Sequence, residues 1–279
     1  MSVRARTASL AFVWLWLSLV LLLPFAMVLK ISFATAQLSV PPYGPPLTFD
    51  NFAALFQDSI YFEALAGSVR IALVSTVIAL LLGYPMAYAV ARSSPRWRHI
   101  LLLLVVLPFW TSFLIRIYAW IGLLRPTGLI NVALEGLGIA PVRLLNTDFA
   151  VYLGIVYAYL PFMVLPLYAR LEKLDPALLE AASDLGAKPS GAFLKITLPL
   201  SWPGIVAGCL LVFIPAVGEF VIPELLGGPG TLMIGKVLWS EFFTARDWPM
   251  SAAVAVLLLV ILVAPIMWFQ SVERRAARP

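Results

Sequence analysis

The chain has 279 residues, of which 62% are hydrophobic and only 12% are charged, and its mean hydropathy is +0.98. Soluble domains carry about 25% charged residues, so the composition excludes a water-soluble protein and indicates a membrane protein. A single cysteine and a single histidine exclude an internal disulfide, a thiolate metal cluster and catalysis built on several histidines.

Six long stretches nearly free of charge follow one another along the chain. Each is long enough to cross a bilayer core about 30 Å thick as a helix. The predicted helices cover residues 8–33, 67–92, 99–124, 149–170, 201–222 and 248–271. A cleaved signal peptide is the alternative for the first, but its apolar stretch exceeds the about 7–15 residues of a signal core. The sequence therefore predicts one all-α, six-helix membrane domain over residues 1–279.

Lysine and arginine gather on one side of these predicted helices. That side holds 12 of the 19 basic residues and five of the 14 acidic ones, so its net charge is +7 against −2 on the other side. Basic residues accumulate in cytoplasmic loops. We therefore expect both termini in the cytoplasm. The excess of basic over acidic residues therefore indicates the orientation in the membrane, and no nucleic-acid partner is expected.

The longest cytoplasmic loop, about residues 171–200, contains a short predicted helix. Asp175 and Pro176 are typical of a helix start, and Gly186 is typical of a helix end. An apolar stripe runs along this helix, while Glu180 and Asp184 lie one turn apart on another face. The stripe consists of Leu178, Leu179, Ala182 and Leu185. Such a stripe suits docking into a groove of a cytoplasmic partner.

The same loop carries a recognisable spacing of residues. Glu180-Ala181-Ala182 is followed after three residues by Gly186, and nine residues later come Ile196, Leu198 and Pro199. This resembles the EAA loop of permease subunits in bacterial ATP-binding-cassette (ABC) importers, and it implies the type I importer permease fold in the inner membrane. The resemblance also implies a coupling helix that docks on an ATPase, the alternative being an ordinary amphipathic loop helix. The implied coupling residues are Glu180, Ala181, Ala182, Asp184, Leu185, Gly186, Leu198 and Pro199.

Further segments narrow the resemblance to polyamine permeases, and above all to the first of the two permeases of putrescine importers. These segments are residues 48–52, 110–120, 215–228, 233–235 and 246–249. Permeases for spermidine, opines, ferric iron and aminophosphonates are the alternatives. The implied partners are a homologous second permease, an ATPase homodimer, a periplasmic polyamine-binding protein and membrane lipid.

Glu219 is the candidate substrate contact within the membrane. At 1.5 Å per residue it lies about 27 Å above the start of the fifth predicted helix, near the outer boundary. Pro215 and Pro223 flank it, so we expect a broken helix, and such helices usually line a cavity. Pairing with Arg116, at a similar depth, is the alternative role for Glu219.

A dicationic substrate requires carboxylates and aromatic faces, which bind ammonium groups by cation–π contact. The aromatic candidates are Trp110, Tyr118 and Trp120 in the third predicted helix and Trp239 near the last outer loop, and Tyr157 and Tyr159 in the fourth predicted helix are similar. Glu224 is a second carboxylate, in the outer loop. Each aromatic residue alone is also typical of a lipid-interface anchor.

No cofactor and no catalysis are expected of this chain. Residues 230–237 nearly match a phosphate-binding loop, but Val237 replaces the Ser or Thr that holds magnesium, so ATP and Mg are expected on the partner ATPase. A proton-coupled carrier is the other alternative, although the uncharged spans offer few titratable groups for it. An intramembrane hydrolase lacks a base to activate a nucleophile.

Overall fold

The computed structural model describes the backbone of residues 3–276 and the side chains of residues 10–263 and 267. Helices dominate, and two short strands, β1 (Thr35–Ala36) and β2 (Tyr43–Gly44), pair antiparallel between the first two helices. The helices before the middle of the chain are α1 (Val3–Ser32), α2 (Asp50–Gln57), α3 (Ser59–Arg92), α4 (Pro95–Val106), α5 (Phe113–Leu124) and α6 (Leu129–Gly136). Those after it are α7 (Asp148–Leu171), α8 (Ala177–Asp184), α9 (Pro189–Ala192), α10 (Leu198–Val217), α11 (Val221–Leu226), α12 (Ile234–Trp239) and α13 (Trp248–Ala276).

Five helical stretches are long and apolar enough to cross a membrane, and a shorter sixth is described over Trp248–Val263. The five are Leu10–Ser32, Ser59–Arg92, Phe113–Gly136, Asp148–Leu171 and Pro189–Val217. The prediction of an all-α membrane protein is confirmed. Apolar side chains cover most of these helices because their surroundings are not aqueous.

The predicted third helix, residues 99–124, is corrected by the structure, because it is not continuous. The α4 helix gives way to a 3-10 turn, Leu107–Trp110, and Thr111 and Ser112 are extended before α5 begins. Pro108 lies in that turn, and proline lacks the N–H that a continuing α-helix requires. The third apolar stretch is instead formed by α5 and α6.

The fifth predicted helix, residues 201–222, is also interrupted. A π-helical turn, Phe193–Thr197, leads into α10, and the backbone leaves the helix at Gly218 before α11 starts. The break lies between Pro215 and Pro223, as the two prolines predict. The chain therefore presents irregular backbone near the outer end of this span.

The backbone divides into two compact units, residues 1–63 with 237–264 and residues 64–236 with 265–279. In the first unit, the ring of Phe33 packs on Phe49 and Phe52, and Asn51 donates to the carbonyls of Ser32 and Ala34. These contacts hold α2 against the end of α1.

The core of the second unit lies between α7 and α10. Gly208 on α10 faces Met163 on α7 so closely that a methyl group at Gly208 would lie 2.7 Å from the Met163 sulfur. Gly204 makes a similar approach one turn earlier, against Pro166 and Arg170. The two glycines thus allow the helix backbones to pack tightly, which fixes the elements that carry the candidate sites.

Candidate functional site

The predicted coupling helix is present as α8 and is closed at both ends. At its start, the Asp175 carboxylate accepts a hydrogen bond from the Ala177 N–H at 3.0 Å. At its end, Gly186 has a φ of +81°, and the N–H groups of Gly186 and Ala187 donate to the carbonyls of Ser183 and Ala182. This pair of bonds is a Schellman motif, which requires a left-handed residue at the glycine position.

The predicted apolar stripe of α8 divides into two faces. Ala182 is buried against its own chain, and Leu179 is half-buried beside it. Leu178 and Leu185 are 45% and 88% exposed, and they share a face because seven residues make nearly two turns. Glu180 and Asp184 are exposed as well. The α8 helix thus presents two exposed leucines on one face and two exposed carboxylates on another.

The second half of the motif anchors this loop to the membrane helices. Leu198 and Pro199 begin α10, and the Ser201 hydroxyl donates to the Leu198 carbonyl. The Tyr84 hydroxyl on α3 lies 2.9 Å from the Ser201 hydroxyl, and the Tyr84 ring packs edge-on against Phe193. The segment that follows α8 is therefore packed against both α3 and α10.

Glu219 lies at the break between α10 and α11 and is 7% exposed. Its Oε1 accepts from the N–H groups of Phe220, Val221 and Ile222 at 3.2, 3.0 and 3.4 Å, and its Oε2 accepts from the Tyr159 hydroxyl at 2.5 Å. The carboxylate therefore caps the N-terminus of α11, where the helix dipole favours a negative charge.

The alternative pairing of Glu219 with Arg116 is wrong, because the structure places the guanidinium elsewhere. It lies 5.4 Å from the Phe109 ring and 5.8 Å from the Phe113 ring, and its Nε and Nη1 atoms are buried without a hydrogen-bond partner among the described residues. Within the described part of the chain, Glu219 forms no ion pair with a lysine or arginine.

The other predicted substrate contacts do not gather around Glu219. The Tyr157 ring packs edge-on against Trp120 at 5.4 Å, and the parallel candidate Tyr159 contacts the carboxylate instead. Trp110 and Tyr118 are 75% and 59% exposed on the surface of the chain.

The second predicted carboxylate, Glu224, is occupied by an ion pair. Its Oε2 atom lies 3.0 Å from the Lys236 ammonium nitrogen, and both side chains are partly exposed. Tyr159 is therefore the predicted aromatic residue that the structure brings into contact with Glu219.

A polar clamp that the sequence did not predict joins α3 to the start of α7. The Asp148 carboxylate accepts from Arg70 at 3.0 Å and from the Thr231 hydroxyl at 2.8 Å. The Ser68 hydroxyl accepts from the Ile234 N–H at 2.8 Å. Ser68 and Arg70 lie about three turns after the start of α3, and their place at the start of the predicted helix 67–92 was the only sequence signal for the clamp. The segment before α12 is thus fixed against α3 and the start of α7.

Comparison with known proteins places this geometry in a family. The protein-family model described as "binding-protein-dependent transport system inner membrane component" matches residues 79–277 of this chain. The chain is 45% identical over 261 residues to the spermidine/putrescine transport system permease protein PotB of Haemophilus influenzae, covering 93% of this chain and 91% of that protein. It is 44% identical over 249 residues to PotB of Escherichia coli, covering 88% and 90% of the two chains.

Solved structures share the fold. A crystal structure of a bacterial ABC transporter involved in the import of the acidic polysaccharide alginate aligns with a TM-score of 0.74 at 21% identity, over 98% of this chain and 96% of that one. An inward-facing structure of the MetNI methionine ABC transporter aligns with a TM-score of 0.59 at 16% identity, over 78% and 97% of the two chains. Both likenesses concern the fold alone.

Proposed function

Since the chain belongs to the inner-membrane permeases of binding-protein-dependent ABC importers, we propose that it forms half of a translocation pathway for polyamines, putrescine above all. It is a multi-pass protein of the bacterial inner membrane and not an enzyme, because ATP hydrolysis in such systems belongs to a separate ATPase chain. The relatives named as spermidine/putrescine permeases support the substrate class.

The observation that carries the proposal is the Glu219 carboxylate. It is buried at a helix break and has no cationic partner among the described residues. An ionisable residue within a membrane span is by default a candidate for the substrate pathway. In a site shielded from water, a carboxylate attracts an ammonium group more strongly than in bulk solvent.

The proposed assembly contains a homologous second permease, an ATPase homodimer and a periplasmic polyamine-binding protein. The exposed leucines and carboxylates of α8 would dock on the ATPase, with Glu180 and Gly186 central to the contact. ATP binding would move α8, and α10 would transmit this movement to the broken segment at Glu219. The packed contacts of Phe193 and Tyr84 support this route.

The test is uptake of radiolabelled putrescine and spermidine by a strain that lacks this gene and carries the wild type or a variant. Glu219→Gln removes the charge while keeping the shape, so we expect putrescine uptake to fall at least about tenfold, since the charge-assisted bond is lost. Glu135→Gln is the matched control, because Glu135 is an exposed carboxylate in the last turn of α6, and it should transport normally.

Three results would decide against parts of the proposal. Normal uptake by Glu219→Gln would remove this residue from the pathway. If the strain that carries the wild-type gene takes up neither amine, the polyamine assignment is refuted, while the assignment to the permease family stands. Stronger inhibition of putrescine uptake by unlabelled spermidine than by unlabelled putrescine would make spermidine the preferred substrate.

A further inference from the structure

We propose that Tyr159 is a positioning residue whose hydroxyl holds the Glu219 carboxylate until an ammonium group of the substrate displaces it, and that this exchange releases α11 from α7. The inference rests on the proposed function for the identity of the ammonium group. The hold itself rests only on contacts within the second unit of the chain.

The Glu219 carboxylate joins two helices through its two oxygens. Oε1 serves the first N–H groups of α11, so the carboxylate moves with that helix. Oε2 binds the hydroxyl of Tyr159, which belongs to α7. The Tyr159 hydrogen bond is therefore a link between two separate elements, whereas the Oε1 bonds stay within one.

The remaining contact between α11 and α7 is apolar. Gly154 on α7 faces Ile222 and Leu226 so closely that a methyl group at Gly154 would lie 2.8 and 2.7 Å from their side chains. Ile222 and Leu226 are fully buried. Such contacts are not directional, so they permit sliding of one helix against the other. At the start of α11, the Tyr159 bond is the directional contact to α7. At the end of α11, the Leu226 carbonyl accepts from the Asn146 N–H, two residues before α7, so the proposed release concerns the start of α11.

An ammonium group is the stronger partner for Oε2. The Tyr159 bond already has an ionised acceptor, but its donor is neutral. An ammonium group adds the direct attraction between opposite charges, which is stronger in a site shielded from water than in bulk solvent. A carboxylate has about four acceptor positions, so an ammonium group can approach before the hydroxyl leaves. Once displaced, the Tyr159 ring offers a face to the same cation. The exchange is thus favoured for a cation and not for a neutral solute.

The test follows the accessibility of a cysteine at Val221, in the first turn of α11. The assembled transporter, with its ATPase and binding protein, is placed in right-side-out vesicles in a Cys209→Ala background, because Cys209 is the only native cysteine. A membrane-impermeant maleimide reports the labelling rate with and without putrescine. With Tyr159 intact, we expect putrescine to raise this rate at least threefold.

Two substitutions on α7 separate the roles of two of its tyrosines. Tyr159→Phe removes only the hydroxyl, so we expect fast labelling without putrescine and no further response to it. Tyr152→Phe is the matched control, because Tyr152 lies about two turns earlier on the same helix and is not among the hydrogen-bond partners of Glu219, and it should behave as the parent. Slow, putrescine-responsive labelling of Tyr159→Phe would overturn the proposal.

Glu219→Gln provides an independent decision if Tyr159→Phe fails to accumulate in the membrane. Its amide oxygen can keep the backbone N–H groups at the start of α11, and its NH2 group can donate to the Tyr159 hydroxyl oxygen, so the link between the helices remains. The side chain lacks the charge that attracts an ammonium group, so we expect slow labelling that ignores putrescine. A putrescine response in this variant would refute the exchange. If putrescine does nothing in the parent while Tyr159→Phe labels fast, the positioning role of Tyr159 stands and the polyamine assignment falls.

Discussion

Gly186→Ala tests whether the closed end of α8 is needed for transport. No atom lies within 4 Å of the position that a methyl group would occupy at Gly186, so steric overlap plays no part. The φ of +81° is the obstacle, because a side chain in the left-handed region costs about 1–2 kcal/mol. That cost lowers the ratio of closed to open helix ends by a factor of about 5–30. We therefore expect putrescine uptake to fall, by at most the same factor.

Gly191→Ala is the control for this substitution. Gly191 belongs to the same loop, has equally open space around it and lies in α9, where alanine is favoured over glycine by about 1 kcal/mol. It should therefore transport normally. Gly186→Asn should be intermediate, because asparagine tolerates the left-handed region. Uptake and recovery of the ATPase on purification are measured for all three variants. Equal values for Gly186→Ala and Gly191→Ala would refute the role of the cap.

Two further predictions concern stability. Gly67→Ala would drive a methyl group into the backbone carbonyl oxygen of Leu232. We therefore expect the free energy of unfolding to fall by about 1–3 kcal/mol and the melting temperature in detergent to drop. Gly122→Ala, where the added methyl group meets open space, should be neutral. Burial, assisted by two neighbouring carboxylates, raises the pKa of Glu241, so its ionised form destabilises the fold as pH rises above the ordinary value of 4.5. Glu241→Gln should therefore raise the melting temperature at pH 7 and leave it unchanged at pH 4, and an equal gain at both values would contradict this cause.

The membrane spans were predictable where charge alone sets their limits. The fourth predicted helix, residues 149–170, agrees with α7 to within one residue at each end, because acidic and basic residues bound a wholly apolar stretch. The third predicted helix failed for a local reason. Hydropathy averages over a window and ignores hydrogen bonding, so it passes over Pro108, whose missing N–H interrupts the helix.

The candidate site was predictable in its depth but not in its contacts. Counting residues placed Glu219 and Arg116 at similar heights, but height leaves open which way each side chain points around its helix. The same ambiguity affects Tyr157 and Tyr159, which lie about 200° apart around α7 because each residue turns the helix by about 100°. Only one of the two can face Glu219, and tertiary packing selects Tyr159.

The backbone N–H groups that the Glu219 carboxylate caps differ from an arginine partner in their effect on the net charge around the carboxylate. An arginine partner would neutralise the carboxylate and would also repel an incoming cation. The N–H groups of α11 stabilise the negative charge as dipoles, so they add no net charge to the site. Among the described residues, no lysine or arginine therefore competes with an incoming ammonium group for this carboxylate. The burial of Glu219 without an ion pair thus agrees with the proposed pathway for ammonium groups.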